Sequence, residues 1–264
     1  MTITATSPPP PPRPLPLSGV VITRNEADRI GRCLQSMRGV CREILVLDSG
    51  SDDDTVAIAR AAGARVEHQD WLGFAAQKNA AIERASQPWV LLLDADEWLE
   101  PVAQQAIRRL FADGQVEQAD VWQLLRHTHF LGHRMRAGSF AREPVERLFR
   151  VHLRHALLPV HEYLDTAGAR VRPSAIALEH DTARSTEEYW RKLQDYARLW
   201  AGQQRLRGRR AFRGRGLLAA VAYLLKNLVA RGGLVDGVPG LRFHWLHARY
   251  AKRKYDLLRA LGRD

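Results

Sequence analysis

Apolar and polar positions divide the chain into stretches of different rhythm. Residues 17–23, 43–47 and 89–93 are short, nearly continuous apolar runs, and the mixed segment 65–68 reads as a further short strand. Runs of this length, bounded by polar turns, predict buried strands. Between them, Ile30, Cys33, Leu34 and Met37 recur at helical spacing. The three aspartates 52–54 suit the positive end of a second helix, which Gly63 closes. Residues 74–85 read as a third helix, and Pro101 opens a fourth. Strand and helix alternate four times. That order predicts an α/β fold, with a Rossmann-like, mostly parallel sheet flanked by helices and joined by right-handed crossovers. Ligands in such sheets sit at the carboxyl ends of the strands. Those ends read Thr23-Arg24-Asn25-Glu26, Asp48-Ser49 and Asp94-Ala95-Asp96.

Beyond about residue 120 the segments shorten, with strands expected at 121–125, 145–151 and 175–178. Helices follow at 186–203, 217–230 and 241–261. The first sixteen residues include Pro8 to Pro12, Pro14 and Pro16, a polyproline-type tail with no core role. The expected organisation is therefore a tail over 1–16, a catalytic domain over 17–200 and a basic helical region over 201–264.

Charge sharpens this division. The 264 residues carry a net charge of +11, but residues 1–181 hold 21 basic and 23 acidic side chains, whereas 182–264 hold 19 and 6. The last third thus suits a phosphate-rich partner. Leu217, Leu218, Val221, Leu224, Leu225 and Leu228 recur at helical spacing after an arginine-rich run, and Phe243, Trp245, Leu246 and Tyr250 lie beside Lys252, Arg253 and Lys254. Amphipathic helices in an anionic membrane surface fit this pattern; nucleic acid is not expected, since no binding motif for it occurs. The apolar stretch 216–225 is far shorter than the roughly 20 residues that span a bilayer. No targeting segment is expected at the N-terminus. Cys33 and Cys41 are too few for a disulfide framework and read as reduced core thiols, so the protein is expected in the cytoplasm, peripheral on the inner face of the membrane.

The sharpest chemical signal is Asp94-Ala95-Asp96 directly after an apolar strand. Two carboxylates there can converge on Mn²⁺ or Mg²⁺, which prefer oxygen ligands and leave room for substrate phosphates. Other carboxylate chemistries lack their companions. There is no P-loop for a Walker-B strand, no calcium-loop spacing, and Trp98 stands where a D-x-D-x-T phosphatase has its threonine. Nor does the first strand lead into G-x-G-x-x-G.

Four segments in order carry a resemblance: Val20 to Glu26, Val46 to Thr55, Gln77-Lys78-Asn79-Ala80 and Leu93 to Glu97. Together they resemble the inverting glycosyltransferases of the GT-A fold, glycosyltransferase family 2, over about residues 17–200. Asp70-Trp71-Leu72-Gly73-Phe74, Arg147-Leu148-Phe149-Arg150, Val160-His161-Glu162 and Leu234-Val235-Asp236-Gly237 look closest to the lipopolysaccharide core β-glucosyltransferases. The resemblance implies a nucleotide-diphosphate sugar donor, such as a UDP-sugar, and a membrane glycolipid acceptor. By position, Thr23, Asn25 and Glu26 line the nucleoside pocket and Asp48 accepts from the base. Lys78 and Arg147 lie by the diphosphate, Ala95 adjoins the donor, and Asp94 points to the ribose or the metal shell. Asp96 binds the metal, with His180 as a further ligand. Glu162 is the candidate base that deprotonates the acceptor hydroxyl, with Asp165 as its local alternative. Transfer to a polyprenyl phosphate, or a silent nucleotide- or nucleic-acid-binding module, are the competing readings.

Overall fold

The computed structural model describes residues 13–157 and 163–262. Its first elements are β1 (Leu15–Thr23), α1 (Ile30–Met37), β2 (Cys41–Asp48), α2 (Thr55–Ala61), β3 (Arg65–His68), α3 (Phe74–Glu83), β4 (Trp89–Asp94), β5 (Glu97–Trp98) and α4 (Pro101–Ala112). There follow β6 (Val121–Phe130), β7 (His133–Arg134), β8 (Glu143–Arg150), β9 (Val171–Asp181), α5 (Thr186–Leu206), α6 (Arg215–Leu224) and α7 (Gly237–Ala260). The α/β class expected from the alternation is the one observed. The chain packs as two compact units. One is chiefly the chain to Trp122 with Glu146–His155 and Leu164–Arg172; the other is chiefly Gln123–Val145 and Pro173 onwards.

In the first unit the strands run in the order β3-β2-β1-β4-β8. β1 pairs parallel with β2 and β4, and β2 parallel with β3, as crossover helices require. β8 returns antiparallel to β4, with Leu148 opposite Leu91. The register sets Thr23 beside Asp48 and Ile22 beside Asp94, so the polar ends of three strands finish at one level. Val20, Ile22, Leu47, Val90, Leu92 and Phe149 form a core with Ile82 of α3. On β1, Gly19 permits close packing, because a Cβ there would lie 2.7 Å from Met37 Sδ and 3.2 Å from Cys41 Sγ. Cys33 and Cys41 are both buried free thiols. Burial raises both thiol pKa values, and the Cys33 Sγ–H points at the main-chain oxygen of Asp94, 3.5 Å away.

β1 begins at Leu15, inside the stretch expected to be tail, and the Leu15 N–H donates to Val40 O at 2.9 Å. The ladder shifts register between Leu15 and Ser18, which accommodates Pro16 where no N–H is needed. Residues 1–12 lie outside the described residues. β5 and β7, at two residues each, are too short for any periodicity to announce.

In the second unit β6 and β7 form an antiparallel hairpin. Its two-residue turn, Leu131-Gly132, has φ of 51° and 78°, the mirror-image geometry that matches strand twist. Ser185 caps α5, its Oγ accepting from Glu188 N at 3.0 Å. Tyr189 and Leu193 of α5 share a core with Phe130 of β6 and Phe243 and Leu246 of α7. Packing thus joins α5 to α7 rather than dividing the chain near residue 200. The expected helix over 217–230 is α6 followed by a π-helical stretch, Leu225–Ala230, and α7 starts four residues earlier than its periodicity suggests.

Asp236 directly precedes α7, and its side chain makes no cap to the helix. It is buried at the end of a 3₁₀ turn and accepts from Arg136 N at 2.8 Å and Ala137 N at 3.1 Å, with His133 Nε2 at 3.3 Å. Asp236→Ala leaves those donors without a partner, at about 1–3 kcal/mol for each one that stays buried. Chemical denaturation should therefore show a loss of several kcal/mol, with Asp236→Asn less affected.

Candidate active site

The loops after β1 and β2 are fastened to each other by hydrogen bonds before any ligand is considered. Asn25 adopts a left-handed φ of 56°, which asparagine tolerates better than most residues. Its N–H donates to Ser51 Oγ at 2.9 Å, and its Oδ1 accepts from Asp52 N at 3.0 Å. Next to it, Glu26 N donates to Thr55 Oγ1 at 2.8 Å and Ala27 N to Asp53 Oδ2 at 3.2 Å. Asp48 is buried and accepts from Gly50 N and Ser51 N, both at 2.9 Å, and from Ser51 Oγ. Gln77 is fully buried and bridges this turn to the following loop, donating to Ser49 Oγ and Gln69 O at 3.1 Å each.

Behind these loops lies a buried ionic cluster. Asp94 ends β4, and its carboxylate meets Arg147 of β8 at 2.5 Å and Lys78 of α3 at 3.5 Å. The same Arg147 nitrogen donates to Glu97 at 2.7 Å. Glu97 is fully buried and also accepts from Asp94 N at 3.1 Å, closing the turn through Ala95 and Asp96. Asp96 faces buried Arg29 at 3.8 Å, and Arg29 lies 3.9 Å from Glu26. Burial opposes the charge on Arg147, yet Asp94 and Glu97 together hold its pKa above the ordinary arginine value. Asn79 brackets the peptide of His155, donating to its oxygen at 2.9 Å and accepting from its nitrogen at 2.7 Å. Burial first, then the nearby Lys78 and Arg147 charges, lower the His155 pKa to about 3.

The structure thus gathers Thr23, Asn25, Glu26, Asp48, Lys78, Asp94, Ala95, Asp96 and Arg147 in one unit at the strand ends. Arg147, expected beside the diphosphate, binds Asp94 and Glu97. His180 lies on β9 in the other unit, and among the described residues no three His, Cys, Asp or Glu side chains stand together as a metal site. Glu162 lies outside the described residues. Asp165 is exposed and accepts from Ala167 N at 3.0 Å. Arg29 and His155 carry no signal in the sequence, and Glu97 stands there only as the end of a motif, with no role expected of it. Glu97 left a trace, since an acid followed by the apolar Trp98-Leu99 is an odd place for a solvated charge.

Two outcomes follow from this cluster. Arg147→Met leaves the fully buried Glu97 without its cation and should cost about 3–5 kcal/mol, read by denaturant unfolding. His155 is neutral in the folded state, so as pH falls below about 6.5 the unfolded chain takes up a proton that the folded chain refuses. Stability should drop between pH 6.5 and about 3, with a slope of up to about 1.4 kcal/mol per pH unit from this residue. His155→Gln should flatten that part of the profile by the same slope.

Comparison with known proteins places this architecture. The model of the glycosyl transferase family 2 matches residues 18–156, the segment from β1 through β8 that carries the whole ionic cluster. An uncharacterized glycosyltransferase of Rickettsia felis is 40% identical over 108 residues, 41% of this chain and 38% of that protein. The lipopolysaccharide core biosynthesis glycosyltransferase LpsC of Rhizobium meliloti is 34% identical over 122 residues, 44% of each chain. A solved structure of S. aureus TarS (residues 1-349) is similar with a TM-score of 0.46 at 14% identity, covering 94% of this chain and 91% of that one. The chain spans about two fifths of the length of the curated relatives it matches. The family match covers more than half of the chain, which therefore belongs to glycosyl transferase family 2.

Proposed function

We propose that the chain is a metal-dependent inverting glycosyltransferase that moves a sugar from a UDP-sugar to a lipid-linked acceptor of the lipopolysaccharide core type, working at the cytoplasmic face of an anionic membrane. The carrying observation is the carboxylate pair at the end of β4, with Asp94 held by two buried cations and Asp96 one short turn away. The family match and the LpsC likeness support the reaction class and the acceptor.

The carboxylates fit a hard divalent cation. Without a third ligand among the described residues, Asp96 and Asp94 supply a partial oxygen set that donor phosphates and water complete, as Mg²⁺ and Mn²⁺ prefer. When bound, such a cation offsets the charge that builds on the departing diphosphate. Lys78 and Arg147 hold Asp94 in one orientation, and Arg29 does the same for Asp96. Asp48 retains lone pairs beyond the three hydrogen bonds it accepts, and one takes the base N–H. Thr23, Asn25 and Glu26 shape the nucleoside side, with Ala95 keeping the turn narrow. Glu162 takes the proton from the acceptor hydroxyl on the face opposite the leaving group, which inverts the anomeric centre.

The two carboxylate roles separate experimentally. Asp96→Ala should abolish the Mn²⁺-dependent thermal shift caused by UDP, because a ligand that binds only the folded state raises its melting temperature. Unchanged binding would remove the metal assignment. Glu162→Gln should keep that shift and lose transfer by about 10²–10⁴-fold; transfer at the native rate would exclude it as the base.

A further inference from the structure

The second unit carries an apolar surface that its own packing does not use. Leu217, Val221, Leu225 and Val229 succeed one another along α6 and its π-helical continuation, and each is between 46% and 67% exposed. The other side of that helix is the packed one. Gly216 and Ala220 are buried, and a Cβ on Gly216 would lie 2.7 Å from the Lys252 oxygen of α7. α7 repeats the arrangement. Phe243 and Leu246 are buried, whereas Val238, Leu241 and Trp245 are 44–69% exposed. A helix that is apolar on two sides satisfies one against protein and offers the other to a second apolar medium.

The charges around this surface identify that medium. Residues 205–249 contain ten arginines and lysines and one carboxylate, Asp236. Asp236 is buried, while nine of the cations, from Arg207 to Arg249, are exposed. A second copy of the chain would bring the same cations against them. Nucleic acid would satisfy the cations but gains nothing from stripes of leucine and valine, which do not stack with bases. An anionic bilayer satisfies both, with headgroup phosphates for the arginines and acyl chains for the aliphatic side chains. Among the described residues no single helix is long and apolar enough to cross a membrane, and the segments 215–230 and 233–260 are bent by 82°. The bend suits helices lying in the surface plane.

We infer that the exposed face of α6, the π-helical stretch and the start of α7 is a membrane-docking element, seated in the headgroup region of an anionic bilayer. It rests on the lipid-linked acceptor only for its purpose, and it is tested without any transfer reaction. The full chain is floated with vesicles of phosphatidylcholine alone and of equal parts phosphatidylcholine and phosphatidylglycerol. The unmodified chain should bind the anionic vesicles at least about tenfold better, and added salt should weaken that binding. Leu225→Asp with Val229→Asp should lose about tenfold or more of the anionic binding, with unchanged circular dichroism and UDP thermal shift. Equal flotation of the parent and this variant would overturn the inference, as would a dimer in light scattering that the variant abolishes and no vesicle binding. A second readout needs no charge on the helix. Brominated lipid should quench fluorescence of the parent more than of Trp245→Phe; equal quenching would also overturn it. Lost UDP binding with intact flotation would count against the proposed reaction alone.

Discussion

The buried guanidinium of Arg147, held between Asp94 and Glu97, is the interaction on which the first unit depends. Moving the charges of Arg147 and Glu97 out of water is costly, and leaving either alone is costlier still. Asp94 comes from the end of β4, Glu97 from the short strand after it, and Arg147 from a strand that returns antiparallel about fifty residues later. The cluster thus joins local and distant parts of the chain at the level where β1 and β2 also end. The result is a carboxylate whose orientation is set before a substrate arrives.

Preorganisation of this kind spreads outward through hydrogen bonds rather than apolar contacts. Asp48, Asn25 and Gln77 use side chains to fasten backbone that no strand or helix pairs. These residues belong to the motifs that suggest a nucleotide pocket, and their work in the structure is to fasten the loops after β1, β2 and β3. Both roles are compatible, because a carboxylate or amide offers more acceptor and donor positions than the loop consumes.

The parallel core was legible in the sequence because period and length agree there. Three apolar runs and one short mixed segment, separated by stretches too long for hairpins, leave little besides crossovers, and the polar residues at their ends follow from the direction of the strands. The carboxylate pair after β4 was legible for the same reason. What stayed hidden depends on distant partners. Arg147 reads as a phosphate ligand in isolation, since a guanidinium suits phosphate and carboxylate alike. Only the register of β8 against β4 shows which acid it meets. Glu97, Arg29 and His155 share this property of being charged or titratable groups made tolerable by neighbours remote in sequence. In the second unit, helical periodicity revealed α5 to α7. It did not reveal that α6 would pass into a π-helical stretch, nor which of two apolar sides would face protein.

Cys33 of α1 lies beside the Asp94 carbonyl, and Cys41 of β2 lies against the position opened by Gly19. Burial keeps both sulfurs protonated and out of reach of alkylating reagents. Their labelling rate is consequently a built-in clock for the opening of the strand layer that supports the acids, reporting from within the molecule without any attached dye.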